Sequence, residues 1–381
     1  MFSLISYLCT CKLNNMKLSD YILMEPRYKW ADEGGNFIKP TIGQILSEYF
    51  YRINIFRDIR NWFPLYAWLL VLLLMPAFLL LIVKYLSIGN ALIAFIYGMV
   101  IMGSHGTMWY HRYSTHSAFT FKNNFWKFIS QHLVIKVIPE ELYVVSHHVH
   151  HEKSDKPGDP YNAFGGFFYC FLADTNHQLM NRELSEEDYN VAKKNIAHTG
   201  SKINTYEQYL RYGTIAHPLY IFLSTFLNWI FWGTVFYFLG EWIGSYGGGL
   251  GMLSAIFGGT FVWAVGVRTF NYEGHGKGKG KKGWGDSDYN RSDYSINQVW
   301  AGYVAGEWHN NHHLFATSAR SGFLPYQLDI PWLYVQLLYK LGGVTEFRDN
   351  KKQFYENYVE PFKVKHHFKE SPALPPDHSA A

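Results

Sequence analysis

The chain has 381 residues, with 34 Lys+Arg against 30 Asp+Glu and a net charge of only +4. That balance, with no basic stripe interleaved with aromatics, excludes a nucleic-acid binder of the generic basic type, and three cysteines (Cys9, Cys11, Cys170) exclude a disulfide framework at this length. Only 17% of residues are charged, where about 25% is usual for a soluble domain, and aromatics reach 19%.

In chain order, the first residues (MFSLISYLCTCKLNN) have no charged n-region and no cleavage site, so no signal peptide is expected and Met16 can serve as a start. The missing charge is then found in two places. No charged residue lies between Arg60 and Lys84, and Leu65–Val83 reads LYAWLLVLLLMPAFLLLIV; a second uncharged stretch follows from Tyr85 up to Arg112, broken by a turn-like Ser87-Ile88-Gly89-Asn90. A second pair runs through Tyr212–Gly240 and, after Glu241, through Trp242–Val267. Each exceeds the ~20 apolar residues needed to cross a ~30 Å hydrocarbon core. Four such stretches in two close pairs predict two transmembrane hairpins, with spans at about 65–83, 88–108, 215–240 and 243–267.

A hairpin returns the chain to the side it came from, so residues 1–61, 110–211 and 268–381 are expected on one face. That face carries Arg52, Arg57, Arg60, Arg112, Lys122, Lys127, Arg211 and Arg268 near span ends, against Lys84 and Glu241 on the other. The Lys/Arg bias puts the larger face in the cytoplasm. The expected organisation is a cytosolic N-terminal segment (1–61), a membrane domain (62–331) and a cytosolic C-terminal helix with a mobile tail (332–381). Phe125–Ile138 is too short and basic to span and reads as an interfacial helix; Arg182–Lys194 reads as a solvated one.

Eighteen histidines are present, and nine fall in clusters on the predicted cytosolic face: His111 and His116 in HRYSTH, His147, His150 and His151 in HHVHH, His275 in NYEGH, and His309, His312 and His313 in HNNHH. Residues i, i+3 and i+4 share a helix face, so each HxxHH box is expected to project three imidazoles one way. His111 and His116, five apart, lie roughly 140° apart on an ideal helix and suit two neighbouring metals better than one. Nine imidazoles are too many for one ion. Neutral imidazole favours Fe, Zn, Cu or Ni over Mg or Ca. There is neither HExxH nor Glu-x-x-His, so zinc proteases and carboxylate-rich di-iron bundles fit poorly.

The ordered set HxxxxH at 111–116, HxxHH at 147–151, NxxxH at 271–275 and HxxHH at 309–313 resembles the membrane fatty acid desaturases, most of all acyl-CoA desaturases of the stearoyl-CoA type. Asp159-Pro160, Asn162, Gly166-Phe167-Phe168 and Gly306-Glu307 stand at similar offsets, and the resemblance spans roughly Leu65–Pro331. It implies an all-α integral membrane fold: four transmembrane helices as two hairpins, with a helical cytosolic cap holding a di-iron centre. It implies that His111, His116, His147, His150, His151, His275, His309, His312 and His313 ligate two irons (Fe2+), with Asn271 holding a metal-bound water. No catalytic side chain beyond the metal centre is implied. The implied reaction places a cis double bond, best assigned to Δ9, in a long acyl chain, with O2 as co-substrate and two electrons from an external donor of cytochrome b5 or ferredoxin type. No HPGG haem motif occurs, in keeping with a separate donor, and His309 stands where front-end desaturases carry glutamine. The implied setting is the endoplasmic reticulum membrane in a eukaryote or the inner membrane in a bacterium.

The chain departs from the pattern in three places. His148 adds a histidine inside the second box and is read as lying behind the ligands or at the surface. Ala316 replaces the usual proline. Val145-Ser146 stands where animal acyl-CoA enzymes have Arg-Asp, which leaves the acyl carrier open between CoA, phospholipid and carrier protein. A related hydroxylase and a non-catalytic membrane metal binder are the rival readings. GHGKGKGKKGWG at 274–285 follows a membrane span rather than a β-strand, so it is no dinucleotide loop. It reads either as a solvated loop or as a site where Lys277, Lys279, Lys281 and Lys282 attract an anionic group. His105, His132, His177, His198 and His217 are assigned to packing, surface or capping, and His366, His367 and His378 to the tail.

Overall fold

A computed structural model describes residues 17–280 and 285–361. Cys9, Cys11, Met16, Lys281, Lys282 and the tail histidines lie outside the described residues.

Helix α1 (Ile42–Arg52) opens with a capping box in which Thr41 and Gln44 satisfy each other's backbone N–H groups. Four helices are long and apolar enough to cross a membrane. These are α2 (Trp62–Val83), α3 (Ile88–Thr115), α7 (Pro218–Ile243) and α8 (Gly248–Gly266), the last running on through a tight turn into α9 (Phe270–Gly274). On α2 the buried face (Ala67, Leu70, Val71, Leu74) is no more apolar than the outward one, where Leu69, Leu72, Leu73 and Leu79 are exposed. A helix apolar all round has no solvated side, which is the signature of a membrane span.

Between α3 and α7 lie α4 (Asn124–Gln131), α5 (Glu140–Lys153) and α6 (Glu186–Ala192). After α9 come α10 (Val299–Ala305), α11 (His309–Leu314) and α12 (Ile330–Lys340). The only sheet among the described residues is a two-stranded antiparallel ribbon, β1 (Phe119–Phe121) with β2 (Val344–Phe347). It ties the segment after α12 back to the end of α3, where Trp109, Phe119, Trp332, Val335 and Val344 share one buried cluster.

Several local expectations shift. Glu241 lies inside α7 rather than in a turn: the chain reverses at Gly244 and Gly247, both at positive φ (65° and 80°), while Glu241 Oε1 accepts from the Gly249 N–H at 2.7 Å. The α4 helix is shorter than Phe125–Ile138, because Ile135 and Val137 continue as a buried non-helical segment. It does present Phe125, Phe128 and Ile129 outward. The stretch read as a solvated helix buries Tyr189, Ala192 and Arg182, so only one side of α6 is solvated. Arg112 is an internal tie, not a loop charge: its guanidinium donates to Asp329 Oδ1 (2.8 Å), the Ala319 carbonyl (2.7 Å), the Gly306 carbonyl (2.7 Å) and Ser321 Oγ (2.8 Å).

The two hairpins meet through α3 and α8 at glycine. A Cβ on Gly98 would come within 2.4 Å of the Gly259 carbonyl oxygen, and one on Gly259 within 2.4 Å of that of Ala94, so the backbones touch. At the far end Asn90 Nδ2 donates to the Tyr85 carbonyl (2.9 Å) and the Tyr246 carbonyl (3.0 Å), clasping both turns. Gly98→Leu should therefore separate the hairpins and cost about 1–3 kcal/mol of overpacking strain, read as a lowered melting temperature in detergent; an unchanged melt would show that the contact is dispensable.

Candidate metal centre

The nine clustered histidines come from five segments and form two groups. His111, His116, His147, His151 and His312 place ligand atoms within 4.8 Å of one another, and so do His150, His275, His309 and His313. The groups adjoin, with the His151 and His313 rings 4.6 Å apart.

How His111 and His116 reach one group corrects the expectation that they serve two metals. The end of α3, Gly106–Thr115, is a π-helix, in which the His116 N–H donates to the His111 carbonyl at 3.2 Å, an i→i+5 bond. At that wider pitch residues five apart stack on one face, whereas an α-helix would splay them. The HxxHH boxes also divide, rather than pointing three imidazoles one way. On α5 the i,i+4 pair His147 and His151 goes to the first group and His150 to the second; on α11 the pair His309 and His313 goes to the second and His312 to the first. Two short helices facing each other thus contribute reciprocally.

Carboxylates stand behind the rings. His111 Nδ1 donates to Glu307 Oε2 (3.1 Å), His150 Nδ1 to Asp159 Oδ1 (2.8 Å), His275 Nδ1 to Asp155 Oδ2 (3.0 Å) and His313 Nδ1 to Asp293 Oδ2 (2.7 Å). Glu307 Oε1 also lies 3.6 Å from His309 Nδ1, beyond hydrogen-bond length but close enough to feel its charge. Such contacts fix the tautomer, Nδ1–H outward and an Nε2 lone pair inward. The inward nitrogens crowd together: His111 Nε2 is 2.7 Å from His312 Nε2, His312 Nε2 2.8 Å from His151 Nε2, and His275 Nε2 3.0 Å from His309 Nε2. Others, His116 Nε2, His150 Nε2 and His313 Nε2, are buried without any hydrogen-bond partner. Converging lone pairs with nothing to bind are what a cation fits, so the donor set suits a metal.

Burial first, and then the charge of neighbouring imidazoles, hold His116, His147, His150, His151 and His312 well below the usual histidine range, which keeps them neutral and able to ligate. His275 goes the other way: burial opposes its charge, but Asp155 outweighs it and raises the ring to about 9. Ligation there requires that proton to leave. Burial and then the nearby Asp155 push Asp159 up to about 8. Glu307, despite its burial, is held well below the ordinary carboxylate range by His111 and His309. Of these carboxylates, Asp159 and Glu307 were visible in the sequence only as members of a pattern, and Asp155 and Asp293 carried no signal, because both lie in loops outside the boxes.

Asn271, four residues before His275 on the same short helix, has a buried Oδ1 without a partner. It lines a narrow cavity that runs from Ala67 and Val71 of α2 past Tyr161 to Arg268 and Asp174. A wider cavity of about 570 Å³, between α3, α8 and α10, reaches His111 and Glu307. Ile138, Tyr143 and Val267 line both, so the two meet beside the histidine groups. Tyr143 stacks on His147 there, with centroids 5.1 Å apart and planes at 21°.

The remaining histidines stay outside both groups. His148 is half-buried with its ring 6.2 Å from that of His116. His105 Nε2 pairs with the Ser130 carbonyl (2.9 Å), His177 is buried against Tyr28 and Tyr169, and His217 Nδ1 caps α7 by accepting from the Leu219 N–H (3.2 Å). Val145 and Ser146 are both buried, with Ser146 Oγ bonded to the Leu142 carbonyl and Tyr161 Oη. Lys277 is paired with Glu273 at 3.0 Å.

Four membrane-length helices carrying two adjoining histidine groups define a membrane protein with a metal-binding centre. The family model described as "Fatty acid desaturase" matches residues 86–341, more than half of the chain, and the chain belongs to that family. Its members here are oxidoreductases acting on fatty acyl chains. The chain is similar to an acyl-CoA C20 Delta5-desaturase of Anemone leveillei, with 27% identity over 257 residues, 65% of this chain and 70% of that one. It is similar to an sn-1 stearoyl-lipid 9-desaturase of Anabaena variabilis, with 28% identity over 254 residues, 65% of this chain and 80% of that one. A probable chloroplastic lipid desaturase of Arabidopsis thaliana is 28% identical over 222 residues, 54% of this chain and 49% of that one, so the chain spans about half the length of this relative.

Proposed function

We propose that the chain is a di-iron desaturase that places a cis double bond, at Δ9, in a long-chain acyl substrate. The observation that carries this is the pair of adjoining histidine groups set where two cavities meet. His111, His116, His147, His151 and His312 would hold one iron. His150, His275, His309 and His313 would hold the other, with Asn271 contributing through a water. Glu307, Asp155, Asp159 and Asp293 supply four carboxylates behind the rings, a charge that two divalent cations match. When bound, the irons supply the O2 chemistry that no side chain can perform on an unactivated methylene.

The chain's own residues do the rest. The acyl chain occupies the bent path formed by the two cavities, pressed by Ile138, Tyr143 and Val267 against the histidine groups, so one pair of adjacent carbons is presented. Apolar walls keep water out. Arg268, ion-paired to Asp174 at 2.5 Å and stacked over Trp68, lines the polar end, where a carrier's head group would lie. The balance is one CH2–CH2 unit losing two hydrogens as O2, two electrons and two protons become two waters, the electrons arriving from a separate donor of cytochrome b5 or ferredoxin type. Buried Val145 and Ser146 offer nothing to a CoA, and the similarity to a stearoyl-lipid desaturase supports an acyl lipid as an alternative to acyl-CoA. The Lys/Arg bias supports a cytoplasmic catalytic face, in the endoplasmic reticulum membrane of a eukaryote or the inner membrane of a bacterium.

The test is fatty acid profiling of a desaturase-deficient host expressing the chain, with double bonds located by mass spectrometry. A new Δ9 monoene is expected. A monoene at another carbon would overturn the regiochemistry, and a hydroxy acid would move the protein to a hydroxylase. Ala67 and Val71 form the apolar end of the narrow cavity. Ala67→Phe should fill it and shift the product towards shorter chains by roughly tenfold in relative rate, the scale at which a few methylenes are discriminated; an unshifted chain-length profile would place the acyl tail elsewhere.

A further inference from the structure

Beyond the histidine groups and their cavities, one large groove has no role so far. It has about 810 Å³ and lies between α4 and the first half of α7, sharing no lining residue with either cavity beside the histidines. Its apolar wall is the stripe Leu219, Leu223, Leu227 and Phe231, one residue every turn of α7, faced by Phe128 of α4. These side chains are 48–61% exposed, so the chain itself does not cover them. From Leu219 to Phe231 the stripe descends about 18 Å at ~1.5 Å per residue, slightly more than half of a ~30 Å hydrocarbon core. That is the depth of one leaflet. Among the spanning helices α7 is also the least covered by protein, with 17% of its apolar window buried against 33–56% for the others.

The upper end of the groove is different in chemistry. Lys127, Lys202 and His217 line it, at the level where α7 enters the membrane. Lys127 is held in place by its bond to the His198 carbonyl (3.2 Å). Among the described residues no carboxylate forms an ion pair with Lys127 or Lys202. A one-leaflet apolar slot topped by uncompensated cations complements a molecule with an anionic head and a long acyl tail.

We infer that this groove is a binding site for an anionic glycerophospholipid of the leaflet on the histidine-cluster side, separate from the acyl substrate path. The tail lies along the α7 stripe and the phosphate sits between Lys127 and Lys202. This rests on the membrane character of α7 and not on the desaturation reading.

The test is lipid binding by the purified full-length protein in neutral detergent. Native mass spectrometry and thermal melting would be used with phosphatidylglycerol and phosphatidylcholine of identical chains. Wild-type protein should prefer phosphatidylglycerol. Each lysine near an anionic surface is worth roughly fivefold in affinity, so Lys127→Gln with Lys202→Gln should lose about 25-fold for phosphatidylglycerol and leave phosphatidylcholine unchanged. Leu223→Trp, which fills the slot, should weaken both lipids, and circular dichroism checks that each variant is folded. Equal affinity for the two lipids, a preference that survives the double variant, or undiminished binding in Leu223→Trp would each overturn the inference. So would a dimeric wild type made monomeric by Leu223→Trp, which would make the groove a contact between copies. None of these readouts uses turnover, so failure here is distinguishable from failure of the desaturase reading.

Discussion

His312→Ala should abolish product formation while leaving the protein folded in the membrane. His312 is the member of the third box that crosses to the first group, with its Nε2 within 2.7–2.8 Å of both His111 Nε2 and His151 Nε2. Removing it takes one of five donors from that group and leaves the lone pairs of the other four less well met. A metal supplies several kcal/mol of barrier lowering, and at about 1.4 kcal/mol per tenfold its loss is worth roughly a thousandfold or more. Metal content per folded chain, measured on protein purified with and without a chelator, should fall by half if the groups load independently and further if they load together. Wild-type metal content with wild-type product would remove His312 from the centre. Normal metal content without product would instead separate binding from turnover and assign His312 to the reaction alone.

Glu307→Gln should weaken metal binding by roughly 10–100-fold, the range found for carboxylates behind metal-bound histidines. Glu307 is 3% exposed and stands between the groups, donor-paired to His111 at 3.1 Å and 3.6 Å from His309. Its backbone is set by Gly306, whose positive φ of 66° ends α10 and whose carbonyl accepts from Arg112. The amide keeps the shape and one acceptor but loses the charge that draws the His111 Nδ1 proton outward. The expected signature is a lowered chelator midpoint for both metals, because one side chain faces both groups. Asp159→Asn, which backs only His150, should affect one. An unchanged midpoint in Glu307→Gln would reduce this carboxylate to packing.

Much of this was legible before any coordinates. Charge-free runs gave the four membrane helices, since nothing but length and composition is needed to recognise them, and the clustering of nine histidines in order along the chain pointed to the two groups in which they now lie. What the sequence hid follows from assuming one helical period. HRYSTH looks like a splayed pair at 3.6 residues per turn and becomes an aligned pair only in a π-helix, whose register depends on the packing of α3 against the cap. The division of each HxxHH box between groups depends on α5 and α11 facing one another, a tertiary relation that spacing does not encode. Asp155 and Asp293 approach from loops, where periodicity says nothing. The turn at Gly244 and Gly247 was missed because Glu241, the only charge in the run, drew it three residues early.

The wide pitch of Gly106–Thr115 also makes that stretch intolerant of any change in length. Deleting one residue between His111 and His116, Tyr113 for instance, would let the segment relax to ordinary α-helix and still form every backbone bond. The two rings would then sit one turn apart, but everything after them would be rotated by roughly 100°, carrying the Phe119–Phe121 strand away from Val344–Phe347. A surface loop absorbs such an indel; here a single missing codon would unseat the first box and the closing ribbon together. Deletion scanning should therefore find this decade of residues as unforgiving as the histidines themselves, even at positions whose side chains touch no imidazole.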